Sequence, residues 1–470
     1  MEILKFRSTW DLSRICKLFH IADPSLGEII GAFAANHFVY LNLVSIESAL
    51  VGNPLAPSPH ANSMLAAQTE PALPLEFRPK AEECTVRICR TWEELEQFRE
   101  SWDRLLQANP TSSIFQTPEW LAAWWKAFAR NKELCGLVFA DAQGRALSIA
   151  PLYRDQEFFF GRTLTMLHMV GAGSGDSDAL DFITSPGNEE VCADAFMAWL
   201  DKQKDWDVCA LETLPQVSLV AKRLGTRLHE AEWSVDTTLT PNFVIDLPAA
   251  WPQYVNALEP SFRPLLTRYP RRLQSRYSVR FVRCECIEDL KAHLETLFSL
   301  HQMRWTGRGE PGAFASPDRR DFYFEMAAAF LRRGWLEFWL LELDGEIVGA
   351  QFCFRCNGTV SLLQEGFHPK YAAEKIGYAL RAHVLEEMIR SSAKRYDFLG
   401  GDDPYKAKFG AHQKNYLNLT FAGPSRLGRT YLALRRRKRQ IKTWLKSKLP
   451  ASMLARLRRD SIVQVPNALE

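Results

Sequence analysis

The 470-residue chain has no long uninterrupted apolar run, no paired-cysteine framework and almost no net charge, +3 at neutral pH. Each absence excludes something. The most apolar stretch, Ile29 to Leu50, is interrupted by Asn36, His37, Asn42 and Glu47, whereas a membrane-spanning helix needs about 20 mostly apolar residues. It is a poor span. The ten cysteines are scattered and nothing resembles a cleavable secretory signal, so free thiols and a cytoplasmic setting are expected. Cys353-x-x-Cys356 and Cys284-x-Cys286 are the only close pairs. Zinc wants four ligands with a second matching knuckle, and Cys353 lies in the strand-like Ala350–Phe354, so no metal is expected. The glycine cluster Gly171-Ala172-Gly173-Ser174-Gly175 lacks a strand-to-helix setting and a P-loop lysine, which excludes both nucleotide-loop readings.

What is present is aromatic. Fourteen Trp and 29 Phe suit large cores or flat ligand-binding walls, and core packing takes most of them. A 47% hydrophobic share with 24% charged residues is that of a soluble globular protein, and the length suffices for two or three domains. The small net charge hides an asymmetry: residues 426–470 hold 13 Lys/Arg against 2 Asp/Glu, leaving the other 425 residues eight charges net acidic.

Residues 1–82 differ from the rest. A Pro/Ala/Ser-rich stretch from Asn53 to Pro79 suits a linker, and the segment is expected to be a poorly ordered extension or an over-long translation start with Met64 as an alternative initiator. From Thr85 the pattern is regular. Thr85–Cys89 reads as a strand, and Thr91-Trp92-Glu93-Glu94 opens a helix with a capping box. Thr117 and Pro118 start another as N-cap and first helical residue. Strands are expected at 134–140 and 146–153, near 207–212 and at 242–246. The second half repeats this grammar: an arginine-rich helix over 262–276 broken at Pro270, a strand over 279–286, and helices over 287–306 and 319–333. A hairpin then forms around Asp344-Gly345.

The densest signal runs from Leu362 to Gly410: strand, loop, a helix from about Glu374 to Ser392, strand, then a short Tyr-Lys signature. A helix start offers unpaired N–H groups and a positive dipole end, which can hold a pyrophosphate. Gly377 would let a ligand approach that first turn closely, and glycine there is also a common packing device.

The residues of this stretch carry a family resemblance. Gly366-Phe367-His368-Pro369-x-Tyr371-x-x-x-Lys375-x-Gly377-x-x-Leu380 is followed by Tyr396-Asp397-Phe398-Leu399-Gly400-Gly401 and Tyr405-Lys406-x-x-Phe409-Gly410. Together they resemble the acetyltransferase family named for the cellulose-biosynthesis protein CelD, part of the GNAT superfamily and related to the FemAB aminoacyl transferases. Phe115-Gln116-Thr117-Pro118-Glu119-Trp120, Gly173-x-x-x-Ser177-Asp178-x-x-Asp181-Phe182 and His301-x-x-Arg304-Trp305 extend it over residues 84 to 425. Where many relatives carry Ser-Pro-Gly, this chain has Lys375-Ile376-Gly377, which offers a compensating charge. The resemblance implies an α/β fold of tandem GNAT-like domains, mixed sheets flanked by helices, over 83–250 and 251–425. It also implies acyl-CoA (acetyl-CoA) as co-substrate, bound in the second domain, and a sugar or an envelope or exopolysaccharide precursor as acceptor.

Several side chains are candidates for the chemistry. Lys406, on a loop after a strand, can hold an anion or stabilise an oxyanion, or be a solvated surface lysine. Tyr405 can donate a proton to a leaving thiolate, or pack as an aromatic. Glu365 at a strand end is a candidate general base, with Asp397 as the alternative and Asp402 a weaker one suited to a turn. Lys375, Ile376, Gly377 and Tyr378 are the candidate pyrophosphate contacts. His301, Arg304 and Trp305 share one helix face that can grip an acceptor, or simply pack. Asp178 and Asp181 face an inter-domain cleft or cap a turn. The tail from Arg426 to Arg459 interleaves charge with Leu, Tyr and Trp, which suits an anionic membrane surface, RNA or plain solvent. Two rival functions stay open: a FemAB-type transferase drawing on charged tRNA, and a non-catalytic accessory of a polysaccharide synthase.

Overall fold

The computed structural model describes residues 84–306, 312–401 and 403–448, without the side chains of Arg304 and of residues 445–448. The expectations for 1–82, Asp402 and the tail past Lys448 lie outside the described residues.

Local chemistry starts the elements. After β1 (Thr85–Cys89), Thr91 Oγ1 accepts the Glu94 N–H at 3.3 Å and opens α1 (Trp92–Glu96), while Glu94 reaches back to the Arg90 N–H at 2.6 Å. Helix α2 (Arg99–Ala108) follows. Thr117 then caps α3 (Pro118–Phe128) by accepting the Trp120 N–H, with Pro118 filling a position whose N–H has no helical partner. Strands β2 (Glu133–Ala140), β3 (Ala146–Phe159) and β4 (Arg162–Met169) form a meander, and the short β5 (Ile183–Thr184) pairs with β3. Then come α4 (Glu189–Lys202), β6 (Val208–Pro215), α5 (Leu219–Glu230) and the long β7 (Ser234–Asp246).

Helices α6 (Trp251–Ala257) and α7 (Arg263–Gln274) connect this series to a second one. Contrary to expectation, Pro270 does not break α7: Leu266 and Leu273, on either side of it, are both anchored in the core. The second series runs β8 (Val279–Arg283), α8 (Ile287–Thr306), α9 (Pro317–Arg332), β9 (Leu336–Leu343), β10 (Glu346–Cys356) and β11 (Thr359–Phe367). It ends with α10 (Ile376–Arg390), β12 (Arg395–Gly400), α11 (Pro404–Lys408) and β13 (His412–Ala422), after which comes α12 (Arg426–Lys448). The described residues from Cys84 to Arg436 belong to one compact unit, and α12 from Arg437 onward belongs to a second. At the β9–β10 turn both Asp344 and Gly345 have positive φ, 51° and 88°, as a two-residue hairpin requires.

The two series are one motif built twice. Each places a short 3₁₀ turn and an N-capped, proline-started helix before its meander: Phe115-Gln116-Thr117-Pro118 in the first, Phe314-Ala315-Ser316-Pro317 in the second. Each meander ends in a parallel junction only three residues long, β4 with β6 and β11 with β12. Each has an irregularity in the following strand marked by a non-glycine residue at positive φ, Thr213 (54°) and Leu399 (58°).

Among the described residues thirteen strands join in one mixed sheet, in the order β1-β2-β3-β4-β6-β13-β7-β12-β11-β10-β9-β8, with β5 beside β3. The series exchange their last strands: β13 lies against β6, and β7 against β12. β7 and β13 pair antiparallel along their whole shared length, from His412↔Val244 to Ala422↔Ser234. The expectation of two similar α/β units is met, but they share a sheet. Aromatic packing fixes α3 against α9, with Trp120 edge-on to Phe322 at 5.0 Å and stacked with Phe330 at 6.1 Å.

Candidate active site

The second parallel junction is where the strands part. β11 and β12 are paired at Thr359↔Arg395, Val360↔Tyr396 and Ser361↔Asp397, and the ladder stops there although β11 continues to Phe367. Along this stretch, which keeps only its pairing with β10, Glu365 meets the buried Arg381 of α10 in a short ion pair and accepts a 3.4 Å hydrogen bond from Gln351 Nε2. The Arg381 guanidinium also lies over the rings of Tyr405 (4.6 Å), Phe409 (5.0 Å) and Phe398 (5.8 Å). The structure thus commits Glu365 to a buried cation.

On the other side of β12 stands a cluster of two carboxylates and a lysine. Asp397 accepts the Leu399 N–H at 2.8 Å, and Asp178 accepts the Gly400 N–H at 2.9 Å. Burial pushes both carboxyl groups up to about 6, and the Asp178 charge adds to the rise at Asp397. Asn242 of β7 and Tyr416 of β13 hydrogen-bond to Asp397 and to each other. Lys406, only 3% exposed, is not a surface lysine. Its ammonium donates to the carbonyls of Gly400 (2.7 Å) and Gly401 (2.8 Å), with those of Leu399 and Phe398 at 3.3 and 3.4 Å. Burial lowers its pKa, and the nearby carboxylates oppose that shift. Lys406 therefore pins the strand-end turn whose N–H groups hold Asp178 and Asp397.

The start of α10 is more basic than the helix motif alone suggests. A 3₁₀ turn over Pro369–Glu374 precedes it, and Lys375 takes the left-handed conformation at φ 57° as N-cap. Glu374 is bridged by Arg272 and Arg276, each at 2.8 Å. With the exposed Lys375 this leaves three cations against one anion at a positive dipole end. The equivalent helix of the first series, α4, carries Glu189 and Glu190 in its first turn, whereas α10 carries no acid there. Ile376 is buried, and Tyr378 packs among Phe262, Phe409 and Tyr269 at 5.6–5.9 Å between ring centres. A Cβ on Gly377 would lie 3.0 Å from Phe367 Cζ, so that glycine serves packing as well as access.

The acceptor candidates divide. His301 is buried and its Nε2 accepts the Trp305 indole N–H at 2.8 Å, edge-on to Phe314. The Arg304 side chain is outside the described residues. Asp181 accepts the Phe182 N–H at 2.8 Å and bonds Ser218, both within the first series, and burial pushes it up to about 7. Asp178 instead crosses to the second series through Gly400.

Sequence reasoning missed the loop around it as a bridge. Asp176, buried, takes Arg319 Nε at 3.2 Å and the Tyr323 hydroxyl at 3.2 Å, while Ser177 Oγ accepts the Trp120 indole N–H at 2.9 Å. It also missed Arg381, whose signal is an arginine in line with Gly377, Leu385 and Met388 on an apolar helix stripe.

Residues 260–407 match the acetyltransferase (GNAT) domain family. The crystal structure of FemX is similar over 68% of this chain and 95% of its own, at 11% identity and TM-score 0.50. The tandem GNAT protein from the clavulanic acid biosynthesis pathway covers 73% of this chain and all of its own, at 13% identity and TM-score 0.42. L-PGS from Bacillus licheniformis covers 68% and 95%, at 13% and 0.40. No curated protein matches the sequence.

Proposed function

We propose that this GNAT-type acyltransferase moves an acyl group, acetyl in the simplest case, from acyl-CoA to an amine or hydroxyl of a sugar or an envelope or exopolysaccharide precursor. The observation that carries the CoA assignment is the parted β11–β12 junction with its cationic, acid-free helix start at α10, against the acidic first turn of α4. The acceptor class rests on the family resemblance. Phosphates would meet Lys375 and the first-turn N–H groups of α10. The Asp178–Asp397 pair would take the acceptor's proton, and Tyr405 would supply one to the leaving thiolate. No side chain need be a nucleophile, since the acceptor attacks the thioester directly.

Isothermal titration with CoA tests the first part. Lys375→Glu keeps an exposed residue at the same backbone position and reverses its charge, so CoA affinity should fall about tenfold. Unchanged affinity would remove the assignment. Substitution at Gly377 is a worse probe, because it crowds Phe367. Bound tRNA in place of CoA in the purified protein would favour the aminoacyl-tRNA reading, which the basic run Arg435–Arg439 makes the main rival.

The carboxylate pair makes a second prediction, with a definite sign. Both acids have raised folded pKa values, so the proton-accepting form fills only as pH rises through about 6. The kcat/KM profile should climb to a plateau across that range. Asp178→Asn keeps an acceptor for the Gly400 N–H but removes the charge that raises Asp397, so the inflection should move to lower pH. The same raised values stabilise the fold below pH ~4, a contribution lost as pH rises through about 6. Asp178→Asn should therefore gain stability relative to wild type between pH 5 and 8, by about 2 kcal/mol after allowing for partial solvent access. An unmoved inflection would detach the pair from the reaction.

A further inference from the structure

We propose that the tip of the β3–β4 hairpin and the basic first turns of α12, Arg426–Arg436, form one docking surface for a lipid bilayer with anionic headgroups. Pairing of β3 with β4 runs to Phe159↔Arg162, which leaves Phe160-Gly161 as a two-residue turn with φ of 47° and 77°. Phe158 and Phe160 are 82% and 79% exposed, more than any other large apolar side chain among the described residues. Neither belongs to a core cluster, and Phe160 meets the ring of Phe159 edge-on at 4.8 Å. Their neighbour Phe159 turns the other way and meets Tyr431 of α12 edge-on at 5.2 Å.

That contact ties the tip to the helix. The first turns of α12 are firmly seated: Leu432 packs with Leu164, Met166, Val208 and Ala210, and Gly428 lies so close to Asp207 that a Cβ would fall 2.1 Å from its carbonyl oxygen. Arg435 is anchored to Thr420 Oγ1 at 3.2 Å, and Arg436 to the Val235 carbonyl and Asp236. Arg426 and Arg429 are exposed on these first turns. The acids nearest the tip are engaged, Glu157 with Tyr431 and Asp155 with Lys132 at 3.7 Å, and Arg162 is exposed at the turn.

Apolar insertion and headgroup attraction are each weak alone and hold a protein at a membrane only in combination. Aromatic rings favour the interfacial zone, and lysine and arginine favour anionic headgroups. The hairpin supplies the first and the helix the second. Among the described residues no helix is long and apolar enough to cross a membrane, so the surface suits a protein lying on the bilayer, near a membrane-borne acceptor. The inference is independent of the acyl-CoA assignment.

The test is flotation of the full chain with vesicles of phosphatidylcholine alone and of phosphatidylcholine with phosphatidylglycerol. Binding to the anionic vesicles only, weakened by salt, is expected. Phe158→Ser with Phe160→Asn, the latter suited to positive φ, should leave the melting temperature and CoA affinity unchanged and lower vesicle binding about tenfold or more. Arg426→Glu with Arg429→Glu should do the same through the other component. Equal partitioning to both vesicle types, none to either, or undiminished binding by the phenylalanine variant would overturn the proposal. So would tRNA binding that the phenylalanine variant retains while neither vesicle type is bound.

Discussion

Arg381→Met is expected to lower the unfolding free energy by about 3 kcal/mol, because it leaves the largely buried Glu365 carboxylate, 12% exposed, without its cation. Glu365 sits on the part of β11 that β12 leaves unpaired, and Arg381 of α10 is 3% exposed and lies under the rings of Tyr405, Phe409 and Phe398. Replacing both partners is a different experiment. Glu365→Leu with Arg381→Met fills the space with apolar volume and leaves no charge to solvate, so most of the lost stability should return. Urea unfolding of the four proteins measures this as a double-mutant cycle. The double variant also separates two roles for Glu365. If the carboxylate only balances Arg381, transferase activity should stay within about tenfold of wild type, since no proton-transfer contribution is removed. A stable but inactive double variant would restore Glu365 as the general base and overturn the assignment to Asp178 and Asp397.

Lys406→Ala should reduce the rate of acyl transfer by about 10²-fold or more, comparable with removing an oxyanion-hole donor. The route to that loss is positional. The ammonium binds the Gly400 and Gly401 carbonyls at 2.7 and 2.8 Å, and the Gly400 N–H in turn holds Asp178. Lys406→Arg should recover little, because a planar guanidinium cannot replace a compact ammonium among converging carbonyls. Lys406→Met keeps an unbranched side chain but removes both the ammonium that lies over the Phe243 ring at 5.6 Å and the charge that favours ionised Asp178. Its pH–rate inflection should therefore rise above about 6, opposite to the shift expected for Asp178→Asn. Full activity in the alanine variant would return Lys406 to a purely structural role. A rate loss with an unmoved inflection would favour direct action on the reacting atoms.

The sequence by itself determined the features whose physics is local. Thr117 and Pro118 specify a helix start wherever they occur, and Asp344-Gly345 specifies a hairpin, because capping and positive φ involve only adjacent residues. The order of motifs from Phe115 to Gly410 was enough to imply a tandem α/β acyltransferase fold. What the tertiary structure decided lies between residues far apart in the chain. β13 reads as a mixed polar and apolar run, and it becomes a central strand only because β6 and β7 flank it. No local pattern shows that the two series exchange their last strands, since register is set by pairing. Lys406 and Glu365 were visible as candidates, but not what they touch. One turned out to be caged by strand-end carbonyls, and the other held by an arginine 16 residues on. Asp178 meets Gly400 across 222 residues. The pKa values that give these groups their chemical roles come from burial and neighbouring charge, and both exist only after the chain has folded.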